Sequence, residues 1–249
     1  MTGPIIEVCI EGVDGLLAAQ AAGAHRVELC ASLVEGGLTP SPGVIQEALT
    51  RAHMPVHVIV RPRGGDFLYS EAEYAAMRAD VHACREAGAH GVVIGCLTAE
   101  GQVDEQRTAE LVALARPMSV TFHRAFDMTR DPAEALEALI RCGINRVLTS
   151  GQRDTALEGL DTLRRLNEQA GDRIIVMGCG ALSPANIATV RRTAGLRELH
   201  FAALRQQPSM MRYRNPQVGM GGDDKEREYT NTVTDPGLVR ATIQAAQQA

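Results

Sequence analysis

Ala22-Gly23-Ala24-His25-Arg26-Val27 and, far downstream, Cys142-Gly143-Ile144-Asn145-Arg146-Val147 are two readings of one pattern. In each, a glycine ends a helical stretch and a β-rich run opens about three residues later. Gly88 and Gly195 repeat the arrangement. A glycine there supplies the left-handed residue that stops a helix. Working outward, short apolar runs flank these stops: Ile5–Cys9, Arg26–Cys30, Val56–Val60, Gly91–Ile94, Met118–Phe122, Arg146–Thr149, Arg173–Met177 and Glu198–Phe201. Helical patterns separate them, and a last one spans Asp235–Gln248. The glycines precede runs two, four, six and eight, so the repeat unit is βαβα, four times over. Eight βα units in 249 residues predict a TIM (β/α)8 barrel, one α/β domain over residues 1–249.

The punctuation between the runs agrees. Ser41-Pro42, Asp131-Pro132, Ser183-Pro184 and Asp235-Pro236 each set a capping residue before a proline at the first helical position. Ser70-Glu71-Ala72-Glu73 reads as a capping box. A doubly wound sheet would carry G-x-G-x-x-G after its first strand, and Cys9-Ile10-Glu11-Gly12-Val13-Asp14-Gly15 does not fit. Residues 205–233 read as one long irregular loop before the last helix, of a kind that tends to be functional or mobile.

Composition removes several function classes. Lys plus Arg total 25 against 30 Asp plus Glu, a net charge of −5, which argues against nucleic acid as a partner. Aromatic residues are 3% and Trp is absent, so base-stacking platforms are not expected either. There is no apolar run long enough to span a membrane, and the first residues do not read as a signal peptide. The six cysteines form no C-x-x-C pair and no zinc template. Reduced thiols in a cytoplasmic chain are the expectation.

Alternation along the strands sorts the side chains into two faces. Val27 and Leu29 oppose Glu28 and Cys30; Val120 and Phe122 oppose Thr121 and His123. The apolar face must meet the helices, so the polar face points to the axis. Toward the C-terminal rim it reads Glu7, Cys9, Glu28, Cys30, Arg61, His123 and His200. That rim is where barrel enzymes place their chemistry. Buried carboxylates need cationic neighbours, and Arg61, Arg63 and Arg124 are the candidates. The set reads either as a ligand pocket or as a self-paired network that sets register.

Individual motifs carry the same two-sided reading. His123 at a strand end is a candidate general acid or base, with Asp127 on the following loop to orient it; a structural histidine is the other reading. Arg61-Pro62-Arg63-Gly64-Gly65 sets two guanidinium forks beside glycines, suited to a carboxylate or phosphate, unless both pair internally. Gly178-Cys179-Gly180 before Ser183-Pro184 is placed where barrels often bind phosphate, or is a plain tight turn. Cys9 and Cys30 end adjacent strands and face inward; two thiolates suit Cu(I), while two small buried hydrophobes need no ligand.

Arg26-Val27-Glu28-Leu29-Cys30, Glu35-Gly36-Gly37-Leu38-Thr39-Pro40-Ser41, Arg61-Pro62-Arg63-Gly64-Gly65-Asp66-Phe67, Thr121-Phe122-His123-Arg124-Ala125-Phe126-Asp127 and Leu148-Thr149-Ser150-Gly151 resemble the CutC family, named for copper homeostasis. The match runs along nearly the whole chain. It implies a cytoplasmic TIM barrel, a homodimer or higher homo-oligomer, with Cys30 and Cys9 as Cu(I) ligands. Where the family reads His-x-Ser after the eighth strand, this chain has His200-Phe201-Ala202.

Two functional expectations result. One is copper homeostasis, with Cu(I) held by Cys9 and Cys30. The other is an enzyme for a small anionic carboxylate or phosphate metabolite. In that reading Glu7, Glu28, His123 and Asp127 are catalytic, and Arg61, Arg63, Arg124, Gly178, Gly180 and His200 bind the ligand.

Overall fold

A computed structural model describes residues 3–220 and 225–248. Eight parallel strands close on themselves in chain order: β1 (Ile5–Glu11), β2 (Arg26–Cys30), β3 (Val56–Ile59), β4 (Gly91–Ile94), β5 (Ser119–Phe122), β6 (Arg146–Thr149), β7 (Ile175–Gly178) and β8 (Glu198–Ala202). β8 pairs with β1 and removes every edge. The helices between and after them are α1 (Gly12–Ala21), α2 (Pro42–Arg51), α3 (Glu71–Glu86), α4 (Glu105–Ala115), α5 (Pro132–Cys142), α6 (Leu160–Ala170), α7 (Ile187–Ala194) and α8 (Pro236–Gln247). The chain is a TIM barrel in a single domain.

Local chemistry starts most helices where the capping residues stand. Asp131 accepts from the amides of Ala133 and Glu134, and Asp235 from those of Gly237 and Leu238. Ser41 accepts from Val44, and Ser70 with Glu73 forms the reciprocal box. Ser183-Pro184 is the exception: α7 opens only at Ile187. The intervening residues form a separate turn, in which Asn186 Oδ1 accepts from the Ser183 amide and Ser183 O from those of Asn186 and Ile187.

The four-fold repeat is physical. Gly143 and Gly195 cap α5 and α7 in the left-handed region, and Gly23 and Gly88 hold positive φ just past α1 and α3. The residue before an even strand also ties down the odd strand before it. His25 Nδ1, His90 Nδ1 and Asn145 Oδ1 accept from the amides of Ile6, Val56 and Val120 at 3.1, 3.2 and 2.8 Å.

Residues 205–233 are not one irregular loop. β9 (Leu204–Pro208) and β10 (Thr230–Thr234) pair antiparallel into an arm, with Leu204 opposite Thr234; residues 221–224 lie outside the described residues. The arm's base is anchored by buried Thr234, against which a Cβ on Gly15 of α1 would stand 3.1 Å from the hydroxyl oxygen.

The apolar faces of the strands meet the helices, with Val8, Ile10, Val27, Leu29, Val58 and Phe122 fully buried. The axis is different. Its apolar content falls into two small groups, Cys9–Cys30–Ile59–Val93 and Leu148–Met177–Cys179. Most of its other buried side chains are ionisable: Glu7, Arg26, Glu28, His57, Arg146, Glu198 and His200.

Candidate site inside the barrel

All seven polar residues expected on the axis are buried: Glu7, Cys9, Glu28, Cys30, Arg61, His123 and His200. Their pairing differs from the expectation. Arg26, the first residue of β2, bonds Glu7 through Nε and reaches Glu198 through Nη2 at 2.5 Å. Arg146, the first residue of β6, bonds the same Glu198 oxygen at 3.1 Å and Ser119 Oγ at 2.8 Å. The guanidinium charges neutralising Glu7 and Glu198 therefore enter from the start of the strands. Arg26, Arg146 and Glu198 carry this network, and no role was assigned to them from the sequence. The signal was present, since both arginines sit inside the repeat that marks the fold. At the corresponding position of β4 is Gly91, where a Cβ would come within 2.5 Å of the His57 ring. That glycine makes room for His57 on the axis.

Arg61, Arg63 and Arg124 do not neutralise Glu7 or Glu28. Arg61 donates to the carbonyls of Glu35, Gly37 and Gly65. Arg63 bonds Glu73 and Asp66 on its own loop and α3. Arg124 bonds Asp127 and Ser150 at the surface end of the barrel. Asp127 does not orient His123. Its carboxylate accepts from Thr149 Oγ1, from Ser150 N and Oγ, and from Gln152 N, and so pins the loop after β6. Gly178 and Gly180 serve close packing: a Cβ would stand 2.5 Å from Leu196 and 2.8 Å from Ser150 Cβ.

One layer above Glu7 lies the thiol cluster. Cys9 Sγ and Cys30 Sγ are 3.6 Å apart, and one oxygen of Glu28 joins them with all three ligand atoms within 4.8 Å of one another. Register explains the meeting: Cys9 stands opposite Glu28, and Cys30 opposite Glu11. His200 bridges the layers, 2.8 Å from Glu7 through Nδ1 and 3.7 Å from Glu28 through Nε2.

Electrostatics divides these groups. Burial alone would raise Glu7, but Arg26 with His200 outweighs it and holds the carboxylate ionised. Burial opposes charge on His200 too, yet Cys9, Glu7 and Glu28 raise it and keep the ring protonated. The hydrogen bond from Cys30 brings Cys9 down to about 5, with help from His200. Burial and the neighbouring Cys9 push Cys30 and Glu28 up. The arrangement is a Cys9 thiolate beside a protonated imidazole, with a thiol and a protonated carboxyl completing the cluster.

A closed parallel barrel whose axis is lined by ionisable groups and a buried thiol pair defines the class: a single-domain (β/α)8 protein. The CutC family model matches residues 4–205. A CutC family protein from Mesorhizobium japonicum is 68% identical over 244 residues, covering 98% of this chain and 95% of its own length. The copper homeostasis protein cutC homolog of Homo sapiens is 45% identical, covering 96% and 87%. A crystal structure of a CutC from Streptococcus agalactiae, a protein named for copper homeostasis, superposes with a TM-score of 0.76. It shares 31% identity and covers 80% of this chain and 98% of that one. The chain belongs to the CutC family. None of its helices is long and apolar enough to cross a membrane among the described residues.

Proposed function

We propose that the protein takes part in copper homeostasis by holding Cu(I) between Cys9 and Cys30. The observation that carries this reading is the 3.6 Å approach of the two sulfurs in a buried layer with Glu28 beside them. The donor set fits the ion. Cu(I) is soft and accepts two thiolates, and Glu28, held protonated, leaves the sulfurs as the donors. Cys9 is already poised as a thiolate, and binding would release the Cys30 proton. Protonated His200 offsets the negative charge of the pair. Copper is cargo here, and the residues bind it without a chemical step.

A cytoplasmic location belongs to the same proposal, supported by six free, buried cysteines. So does a homodimer or higher homo-oligomer, supported by Met210, Met211, Tyr213 and Met220 exposed along the arm.

The test is anaerobic Cu(I) titration against a chromophoric chelator, using wild type, Cys9→Ser and Cys30→Ser. One tightly bound equivalent is expected, weakened at least about a hundredfold by either substitution. Equal stoichiometry and affinity in all three proteins would remove these thiols from copper handling.

A further inference from the structure

The buried cations of the lower barrel are matched by carboxylates: Arg26 by Glu7 and Glu198, Arg146 by Glu198. His200 lies against Glu7 and Cys9. Arg61 is different. It is 6% exposed, and among the described residues no carboxylate comes within ion-pair distance of it. Its two terminal nitrogens donate to three backbone carbonyls, which leaves one Nη2 hydrogen, and its Nε is buried without a partner. A desolvated guanidinium without counter-charge costs several kcal/mol or more.

Two more buried polar groups stand beside it with hydrogens left to donate: the Tyr69 hydroxyl, whose oxygen faces the Arg61 guanidinium, and His123 Nε2. Phe67 links the group: the Arg61 guanidinium lies 5.1 Å from its ring centre, and the His123 ring 5.0 Å. The tautomer of His123 is set by its other nitrogen. Nδ1 accepts from the Ala125 amide at 3.1 Å, so the neutral ring carries its proton on Nε2. Burial, with Arg61 adding to it, holds His123 down at about 3, so the ring is neutral at physiological pH. Burial likewise keeps the Tyr69 hydroxyl protonated, at about 12. The three groups therefore offer hydrogens around one uncompensated positive charge. A metal cation would be repelled, and an apolar ligand would leave all three unsatisfied.

We propose that Arg61 Nε, the Tyr69 hydroxyl and His123 Nε2 form a subsite for an oxyanion, the carboxylate or phosphate end of a small metabolite. The site lies between the ends of β3 and β5, on different strands from Cys9 and Cys30, and does not depend on the copper reading. Arg63 and Arg124 have no part in it, being engaged with Glu73 and Asp127. The terminal nitrogens of Arg61 hold the loop around Glu35 and Gly37, which fixes the guanidinium with its Nε turned away from those carbonyls.

The experiment needs no copper. Sodium phosphate and sodium acetate are titrated separately into the wild-type protein, with chloride holding ionic strength constant, and the thermal midpoint is followed. One of the two anions is expected to raise it saturably by several degrees. Tyr69→Phe keeps the ring and removes the hydroxyl, so it should weaken the fitted affinity about tenfold with the anion-free midpoint little changed. His123→Gln is the second variant, expected to act in the same direction. A rise with acetate alone identifies a carboxylate ligand, and a rise with phosphate alone a phosphate. A wild-type midpoint unmoved by both anions overturns the proposal. So does an affinity equal in wild type, Tyr69→Phe and His123→Gln.

Discussion

His57 and His123 are both buried on the axis, and burial holds each near 3, far below the ordinary value of 6.5. Neither takes up a proton in the folded protein through mildly acidic pH, whereas both do so in the unfolded chain. The unfolded state then binds more protons, so the contribution of these two rings to stability is complete above about pH 6.5 and declines as pH falls toward 3. Cys9 is lowered and Glu28 raised, so between about pH 5 and 6.5 their contributions have opposite signs and offset one another. His200, raised, is protonated throughout in the folded state and mostly so in the unfolded chain below pH 6, so it opposes the slope only weakly and near pH 6.5. The expected slope is about two protons, or about 2 kcal/mol per histidine between pH 6.5 and 5. Urea unfolding across this interval measures it, and the ring protons of His57 and His123 should not titrate above pH 5. A flat urea midpoint would mean that these rings are hydrated or paired in the fold.

Strand register decides what the two cysteines can become. Cys30 lies one alternation beyond Glu28, the residue opposite Cys9, so the pair is diagonal across β1 and β2. Two residues of rise and one strand spacing separate such Cα atoms by roughly 8 Å. A disulfide rarely spans more than about 7 Å without backbone movement, and these strands are locked on both sides by the closed barrel. A bridging ion spans the sulfurs more readily than an S–S bond does. Treatment with oxidised glutathione or diamide should therefore leave Cys9 and Cys30 unlinked in the native protein, as read by mass spectrometry of peptides from the alkylated protein. Quantitative Cys9–Cys30 linkage would show that the strands shift enough to undo the preorganised pair. The same register explains which parts of the interior were legible. Alternation alone places Glu7, Glu28 and His123 on the axis. It does not say that Glu7 faces Arg26, because that depends on the stagger between strands. Helix starts were legible wherever a capping side chain bonds the first free amides. They failed at Ser183-Pro184, where Asn186 captures the Ser183 amide and closes a turn first. Tyr69 went unnoticed because it lies on a loop, which has no period to mark its face.

The barrel and the arm are held by different forces. Closure of eight strands and the helix-facing apolar layer account for the barrel, and the repeat of glycine stops made that architecture readable from the chain. The arm has no such repeat. Among the described residues β9 and β10 pair only with each other, and their side chains are largely exposed until Val233 and Thr234 reach the barrel. An isolated two-stranded ribbon is marginal in water, and large apolar groups exposed along it favour association. Met210 is 93% and Met220 83% exposed. Neither can be stabilising the barrel to which it is attached. Replacing residues 209–229 with Asn-Gly joins Pro208 to Thr230, which already stand opposite one another, through a turn suited to a hairpin. The shortened chain should keep its thermal midpoint within about 2 °C, since the described residues of the removed segment are largely exposed. If the exposed methionines and Tyr213 serve a second copy of the chain, light scattering coupled to size exclusion should show an oligomer for the full chain and a monomer for the shortened one. An unchanged mass would place the subunit contact elsewhere on the barrel. A large fall in the midpoint without a change of mass would show that the arm braces its own barrel, with Thr234 and the base of α1 as the point through which it acts.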